Sequence, residues 1–234
     1  MNAVDDIVML RTEQGRSSAS IDWDRVLTIN YRSYVYPDAL VVDAGAGEAL
    51  QSRRLRRYAR PSQLFLVESD PKAAAKLRFQ WARKRGITVV QVALGAETVE
   101  GDDIDIDRLD DWTLPGPLSF LRVGRGNGPD GVLAGAANII DRDRPTIGLE
   151  GFPNPATLTT VATRYDLSVL DLLGNVVKTE DAPDVFAYQP GAILLPTERV
   201  EQRGQDQVIL RADVLRSIAT YRPSLEHIKR WFGV

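Results

Sequence analysis

The chain has 234 residues, no cysteine, a single histidine and a formal net charge of −3. These values exclude disulfides, thiolate or histidine-rich metal sites and a cysteine nucleophile, so we expect no metal and a reducing compartment such as the cytoplasm. The small net charge does not favour a nucleic-acid partner, and no apolar run approaches the roughly 20 residues that span a membrane.

Helix and strand signals alternate along most of the chain. In chain order, the predicted elements are a helix over 22–34, a strand over 39–43, a helix over 48–59, a strand over 63–68, a helix over 70–85, strands over 87–94 and 118–123, a helix over 129–140, a strand over 146–150, a helix from 154, strands over 165–173 and 184–189, and helices over 211–221 and 224–232. The predicted parts are an N-terminal arm and helix (1–35), a main domain (36–190) and a C-terminal helical tail (191–234).

This alternation predicts an α/β fold with a mainly parallel, doubly wound sheet that helices cover on both faces. In such sheets the ligand lies beyond the carboxyl ends of the strands. Three acids fall at or next to predicted strand ends, namely Asp43, Glu68 and Glu150. We therefore expect these carboxylates to collect at one edge of the sheet.

The first strand–helix turn contains Gly45 and Gly47, and Glu68 ends the next strand about 20 residues later. This arrangement is typical of sites for adenosine-type ligands, where an acid accepts hydrogen bonds from the ribose hydroxyls. A dinucleotide site normally has a third glycine, where this chain has Ala49. Asp43 would repel a pyrophosphate but could hold an ammonium group. Both features favour S-adenosylmethionine over NAD, and an NAD-linked enzyme remains the weaker alternative.

Further short motifs follow the glycine turn in a fixed order: Val-Val-Asp-Ala-Gly-Ala-Gly-Glu at 41–48, Phe-Leu-Val-Glu-Ser-Asp-Pro at 65–71, Val-Ala-Leu-Gly at 92–95, Arg-Leu-Asp-Asp-Trp at 108–112, Val-Leu-Ala-Gly-Ala at 132–136 and Arg-Pro-Thr-Ile-Gly-Leu-Glu at 144–150. Together they resemble the FkbM family of S-adenosylmethionine-dependent methyltransferases. The resemblance implies a Rossmann-like class I methyltransferase fold with a terminal antiparallel strand, and O-methylation of a sugar, glycan or natural-product hydroxyl.

The resemblance also assigns expected roles to individual residues. The expected cofactor-binding residues are Asp43, Gly45, Gly47 and Glu68, with Gln91 and Ala93 near the adenine. Proteins of this family carry a segment of the form Lys-Ile-Asp-Val-Glu-Gly-x-Glu after the fourth strand. The same register here starts at Arg122 and places Gly124, Gly126 and Pro129 at the three acids. The carboxylates expected at the catalytic edge are therefore missing.

Two functions remain open at this stage. The chain could methylate an anionic acceptor bound by Arg122 and Arg125, with Glu150, Asp110 or Asp111 as the catalytic base. Alternatively, it could be a non-catalytic relative that binds a ligand or a protein partner. A homo-oligomer is compatible with either function.

The predicted first helix of the main domain carries five arginines, namely Arg53, Arg54, Arg56, Arg57 and Arg60. Arg53, Arg56, Arg57 and Arg60 share one helical face, which we interpret as solvated, with binding of an anionic polymer or phosphate as the alternative. Phe79 and Trp81 are predicted core residues of the second helix. Because no aromatic residue appears interleaved with the cations, we expect no nucleic-acid partner.

Overall fold

The computed structural model describes residues 23–47, 49–101, 104–151, 153–172, 174–182 and 191–202. The predicted strand 184–189 and the predicted helices 211–221 and 224–232 lie outside the described residues, as do His227 and most of the N-terminal arm. Within the described ranges, no helix is both long enough and apolar enough to cross a bilayer.

The described elements follow the predicted alternation. The α-helices are α1 (Trp23–Tyr34), α2 (Leu50–Arg54), α3 (Pro71–Trp81), α4 (Pro129–Gly135), α5 (Ala137–Asp143), α6 (Pro155–Arg164) and α7 (Thr197–Gln202). The strands are β1 (Leu40–Ala44), β2 (Gln63–Val67), β3 (Ile87–Val90), β4 (Ala93–Leu94), β5 (Ile106–Asp107), β6 (Leu118–Val123), β7 (Thr146–Glu150), β8 (Leu167–Leu170), β9 (Val176–Val177) and β10 (Gly191–Pro196). A π-helix (Leu55–Ala59) continues α2, and a 3₁₀ turn (Leu109–Asp111) precedes β6.

The main sheet has the strand order β3-β2-β1-β6-β7-β10-β8-β9. Pairing is parallel from β3 to β7, whereas β10 runs antiparallel to both β7 and β8. The mainly parallel sheet and its terminal antiparallel strand are confirmed. β10 lies beyond residue 190, in the segment that was predicted to be a helical tail. Its six residues are all buried and form a strand of the sheet.

Helices cover both faces of this sheet. On one face, Val26 of α1, Leu55 of the π-helix and Leu77 of α3 share a buried cluster. On the other face, Val132 of α4 and Leu158 of α6 belong to a second cluster. The doubly wound arrangement is therefore confirmed, and it leaves the carboxyl ends of β1, β2, β6 and β7 at one edge.

Some predicted elements are interrupted. The predicted helix 48–59 changes from α to π geometry at Leu55, and the predicted helix 129–140 divides at Ala136. The predicted strand 87–94 ends at Val90, and Ala93–Leu94 pairs with β5 in a separate small sheet. Two predicted helix starts are confirmed, since Asp70 accepts a hydrogen bond from Ala73 N at 2.7 Å and Asn154 accepts one from Ala156 N at 2.9 Å.

Candidate functional site

The glycine turn after β1 is fixed by its neighbour strand. The amides of Gly45 and Ala46 donate to the carbonyl of Val67, at 2.9 and 3.0 Å, at the end of β2. Gly45 and Gly47 both have positive φ, of 78° and 52°. Ala49, at the position of the third glycine, is also left-handed, with φ 62°. A non-glycine residue in this conformation carries a strain of about 1 kcal/mol. The turn therefore has the backbone conformation of a glycine-rich site although its third position is alanine.

Glu68 lies directly beside this turn. Its Oε2 accepts a hydrogen bond from Gly47 N at 2.7 Å, and its Oε1 accepts one from Asp70 N at 3.0 Å. Each carboxylate oxygen has two lone pairs, so both oxygens retain acceptor capacity for a ribose hydroxyl. The structure thus brings the predicted ribose-binding acid to the glycine turn, although the two are 21 residues apart.

The two faces of the turn differ in the space beside them. A Cβ added to Gly47 would meet only Gly45 O at 4.0 Å, so the Gly47 face is open. A Cβ added to Gly45 would lie 1.7 Å from Nδ2 of Asn127, so the Asn127 side chain covers the Gly45 face. Residues at the turn therefore fit the nucleoside half of S-adenosylmethionine next to Glu68, while Asn127 lies where a tail running over Gly45 would pass.

Arg122 joins two of the predicted site acids in a buried network. Its guanidinium donates to both oxygens of Glu150, from Nε at 2.8 Å and from Nη2 at 2.7 Å, and Nη1 donates to Asp43 and to the Gly45 carbonyl. The hydroxyl of Tyr31 donates to Oε1 of Glu150 at 2.8 Å. Ser52 donates to the second oxygen of Asp43. The side chains of Arg122 and Asp43 are 7% and 0% exposed. Two carboxylates therefore share one guanidinium beneath the turn.

The protonation states in this network follow from burial and from its charges. Burial alone would raise the pKa of Glu150, but the Arg122 guanidinium and the Tyr31 hydroxyl hold it below its ordinary value. Burial alone would lower the pKa of Arg122, but Asp43 and Glu150 raise it well above its ordinary value. Burial and the Glu150 charge raise the pKa of Tyr31. Glu150 is thus held as an anion whose lone pairs face internal donors, which makes it a poor proton acceptor for a substrate.

The other candidate bases have structural contacts. Asp110 accepts hydrogen bonds from Asn138 N and Ile139 N at 3.0 and 2.9 Å, and its side chain is 2% exposed, so it stabilises the start of α5. Asp111 is 53% exposed and accepts a hydrogen bond from Thr98 at 2.8 Å. Neither contact belongs to the network around the glycine turn. Their role as a base stays a prediction that these contacts do not support.

The remaining predicted residues lie around the same edge. Gln91 is exposed and accepts a hydrogen bond from Arg78 at 3.1 Å, and Ala93 begins β4. Val92, between them, donates its amide to the carbonyl of Glu68 at 3.2 Å, which places this segment beside the predicted ribose site. Arg125 is exposed in the loop after β6, and its charge helps to lower the pKa of Glu150.

Sequence reasoning missed three contributors to the site and misassigned one. Tyr31, Ser52 and Asn127 were not predicted, although a tyrosine on the apolar face of α1 needs a partner for its hydroxyl. Arg122 was predicted as a ligand for an anionic acceptor, whereas its guanidinium is buried in internal ion pairs. A basic residue at this position matches the lysine of the FkbM-like segment, so the cation itself is part of the resemblance.

Comparison with known proteins gives a fold. A solved structure of methyltransferase FkbM from Methylobacillus flagellatus KT superposes with a TM-score of 0.52 at 16% identity, over 70% of this chain and 47% of that one. The fold is that of the S-adenosylmethionine-dependent methyltransferases. This chain spans about half the length of that protein. No family model and no curated protein matches the sequence.

Other structures with this methyltransferase fold are more distant. Precorrin-6y C5,15-methyltransferase from Geobacter metallireducens has a TM-score of 0.42 at 17% identity, over 62% of this chain and 70% of that one. Fibrillarin from Aeropyrum pernix, solved with natively bound S-adenosyl-L-methionine, has a TM-score of 0.45 at 12% identity, over 69% of this chain and 67% of that one.

Proposed function

We propose that this chain binds S-adenosylmethionine or S-adenosylhomocysteine at the Gly45–Gly47 turn and acts as a non-catalytic member of the methyltransferase fold. The observation that carries the binding is the Glu68 carboxylate beside the open face of Gly47, with Gly47 N at 2.7 Å from Oε2. The buried network adds support, because two carboxylates and one guanidinium leave one negative charge beneath the turn. That charge favours a cationic ligand tail over the pyrophosphate of NAD.

The non-catalytic part rests first on the internal contacts of Glu150 and Asp110, and on the position of the exposed Asp111 outside the network around the glycine turn. Glu150 is bound by Arg122 and Tyr31, and Asp110 stabilises the start of α5. The positions of the usual acids hold Gly124, Gly126 and Pro129. When bound, S-adenosylmethionine would supply an activated methyl group. Glu68 would hold its ribose, and the proposed role is ligand-dependent binding of a partner, with the cytoplasm as the proposed compartment.

A second candidate is O-methylation of a sugar, glycan or natural-product hydroxyl through positioning alone. The observation that favours it is open space beside the loop after β6, since a Cβ added to Gly126, Gly128 or Gly151 would meet nothing within 4 Å. An acceptor could approach there, next to the exposed Arg125. This candidate needs a proton acceptor other than Glu150, because Arg122 and Tyr31 occupy the carboxylate.

Replacing Glu68 by alanine tests the binding. Calorimetric titration of the full chain with S-adenosylhomocysteine should give saturable binding, and Glu68→Ala should weaken it at least about tenfold, because two ribose hydroxyls lose a charged acceptor. Glu68→Gln should weaken the affinity for S-adenosylhomocysteine less than Glu68→Ala does. The matched control is Glu180→Ala, an exposed acid after β9 at the far edge of the sheet, which should leave affinity unchanged.

The outcomes separate the candidates. If neither S-adenosylmethionine nor S-adenosylhomocysteine binds at millimolar concentration, both candidate functions are rejected. Binding without formation of S-adenosylhomocysteine from S-adenosylmethionine, over a panel of sugars and acidic sugars, is the result expected for the non-catalytic protein. Methyl transfer to any of these acceptors that Glu68→Ala abolishes would overturn that assignment in favour of the second candidate.

A further inference from the structure

Positive charge is concentrated in one part of the chain. Residues 50–86 contain eleven of the 29 lysines and arginines but only two of the 32 acids, Glu68 and Asp70. Both acids lie between β2 and α3 and are engaged there, Glu68 with Gly47 and Asp70 as the cap of α3. Because the whole chain carries a net charge of −3, this segment is a local basic region on an otherwise acidic protein.

The fold places these cations in a single layer. α2, the π-helix and α3 pack on the same face of the sheet, since Leu55 and Leu77 belong to one buried cluster. A hydrogen bond from Arg53 Nη2 to Gln80 Oε1, at 2.9 Å, joins α2 to α3. We call the solvent-facing surface of α2, the π-helix and α3 the basic face. Its exposed cations therefore lie side by side instead of being scattered around the molecule.

Several of these cations bond to neutral groups. Arg53 donates to Gln80, Arg56 to the carbonyl of Pro61 and Arg78 to Gln91. Neutral partners leave the positive charge of a guanidinium uncompensated, so these three arginines keep a net charge that an anion can neutralise.

An aromatic side chain projects from the same face. Phe79 is 87% exposed, contrary to its predicted place in the core, because Ala74 and Leu77 supply the buried side of α3. Lys72 and Lys76 lie seven and three residues before Phe79, on the same stripe of α3, and the exposed Arg83 follows in the turn after the helix. The expectation of no nucleic-acid partner rested on the small net charge of the chain and on the lack of aromatic residues among the arginines of the first helix. The neighbouring α3 places an exposed aromatic side chain beside exposed cations.

We propose that the basic face binds single-stranded nucleic acid, with the cations on the phosphates and Phe79 stacked on an unpaired base. Eight of the eleven cations are arginines, whose forked donors match phosphate oxygens. An anionic membrane fits less well, because a helix that lies in a bilayer surface needs an apolar face to bury, and that of α3 packs on the sheet. This inference does not rest on the ligand at the glycine turn.

Fluorescence anisotropy with a labelled oligouridine RNA of about 20 nucleotides tests the proposal. The full chain should bind it with an affinity that falls as KCl rises from roughly 50 to 300 mM. The double variant Lys72→Glu, Lys76→Glu should weaken binding at least about tenfold. The slope of log affinity against log salt should become shallower by about 1.4, because each of the two lost phosphate contacts contributes about 0.7.

Phe79→Ala should weaken binding about tenfold with the salt slope unchanged, since stacking releases no counterions. Phe79→Tyr should restore it. Against duplex RNA of the same length, Phe79→Ala should have no effect, because paired bases are not available for stacking. The control is Arg164→Glu, an exposed cation on α6 on the opposite face of the sheet, which should bind like the unmodified chain.

Other results would overturn the proposal. These are lack of RNA binding at the lowest salt, an equal loss from Arg164→Glu, or capture by phosphatidylserine vesicles without RNA binding. The side chains replaced on the basic face are exposed, so thermal melting followed by circular dichroism should be unchanged in those variants. Arg164→Glu also removes a contact with the Tyr165 ring and should remain folded with a slightly lower melting temperature. Calorimetry with S-adenosylhomocysteine on the same variants keeps this test separate from that of the proposed function.

Discussion

Replacing Arg122 by methionine should lower the free energy of unfolding by about 3 to 5 kcal/mol near neutral pH. Methionine fills much of the volume of the arginine stem but leaves Asp43 and Glu150 buried without their shared cation. The side chains of these acids are 0% and 8% exposed, so water cannot replace the guanidinium without opening the edge of the sheet. Urea denaturation followed by circular dichroism measures the change.

The loss should depend on pH in a definite direction. In the unmodified chain the pKa of Glu150 is below its ordinary value of 4.5, so its contribution to stability is fully present above about pH 4.5 and is lost as pH falls through the folded-state pKa. Without Arg122, burial should raise the pKa of Glu150 instead. The deficit of the variant should therefore be largest at neutral pH and should shrink as pH falls towards about 5, as Glu150 takes up a proton.

Two further variants identify the cause. Arg122→Lys keeps the charge but not the two parallel hydrogen bonds to the oxygens of Glu150. Its free energy of unfolding should therefore fall by less, roughly 1.5 to 3 kcal/mol. Adding Glu150→Gln to Arg122→Met should recover part of the loss, because one unpaired charge is removed. Equal stability of Arg122→Met and the unmodified chain at neutral pH would contradict the ion-pair network.

The parts of the site that sequence could predict are those formed by neighbouring elements. The glycine turn and Glu68 follow consecutive strands that pair in parallel, so their approach follows from the alternation alone. The role of Arg122 depends on strand order, because β6 lies between β1 and β7 and its register sets Arg122 opposite Asp43. No local sequence pattern contains the strand order, and Arg122 was therefore predicted to bind a substrate.

The exposure of Phe79 shows a second limit of sequence reasoning. α3 is a short helix whose buried side is supplied mainly by Ala74 and Leu77, while Trp81 is only partly buried. Because two small or medium side chains suffice to pack it on the sheet, hydrophobicity alone did not tell which of Phe79 and Trp81 faced inward. Helix rotation is set by the fit against β2 and β3, which is a tertiary property.

Two of the motifs in the FkbM resemblance meet in the structure. The segment 92–95 contains β4, and the segment 132–136 covers the last residues of α4. A Cβ added to Gly135 would lie 1.9 Å from the carbonyl oxygen of Gly95. The two glycines therefore allow a helix and a strand to touch through their backbones. β4 follows directly on Val92, whose amide donates to the Glu68 carbonyl, so the close contact of α4 lies near the predicted ribose site.

Gly135→Ala should accordingly destabilise the chain by roughly 2 to 3 kcal/mol, because a backbone carbonyl cannot move aside as a side chain can. Gly131→Ala, one turn earlier on α4, is the matched control. Its Cβ would meet Gly95 and Ala96 backbone atoms at an ordinary 3.6 Å, so it should leave stability unchanged or raise it by up to about 1 kcal/mol through helix propensity. Urea denaturation of both variants measures the difference, and equal stabilities would show that α4 and β4 do not pack this closely. Gly135→Ala should also weaken binding of S-adenosylhomocysteine if β4 positions Glu68, whereas Gly131→Ala should not.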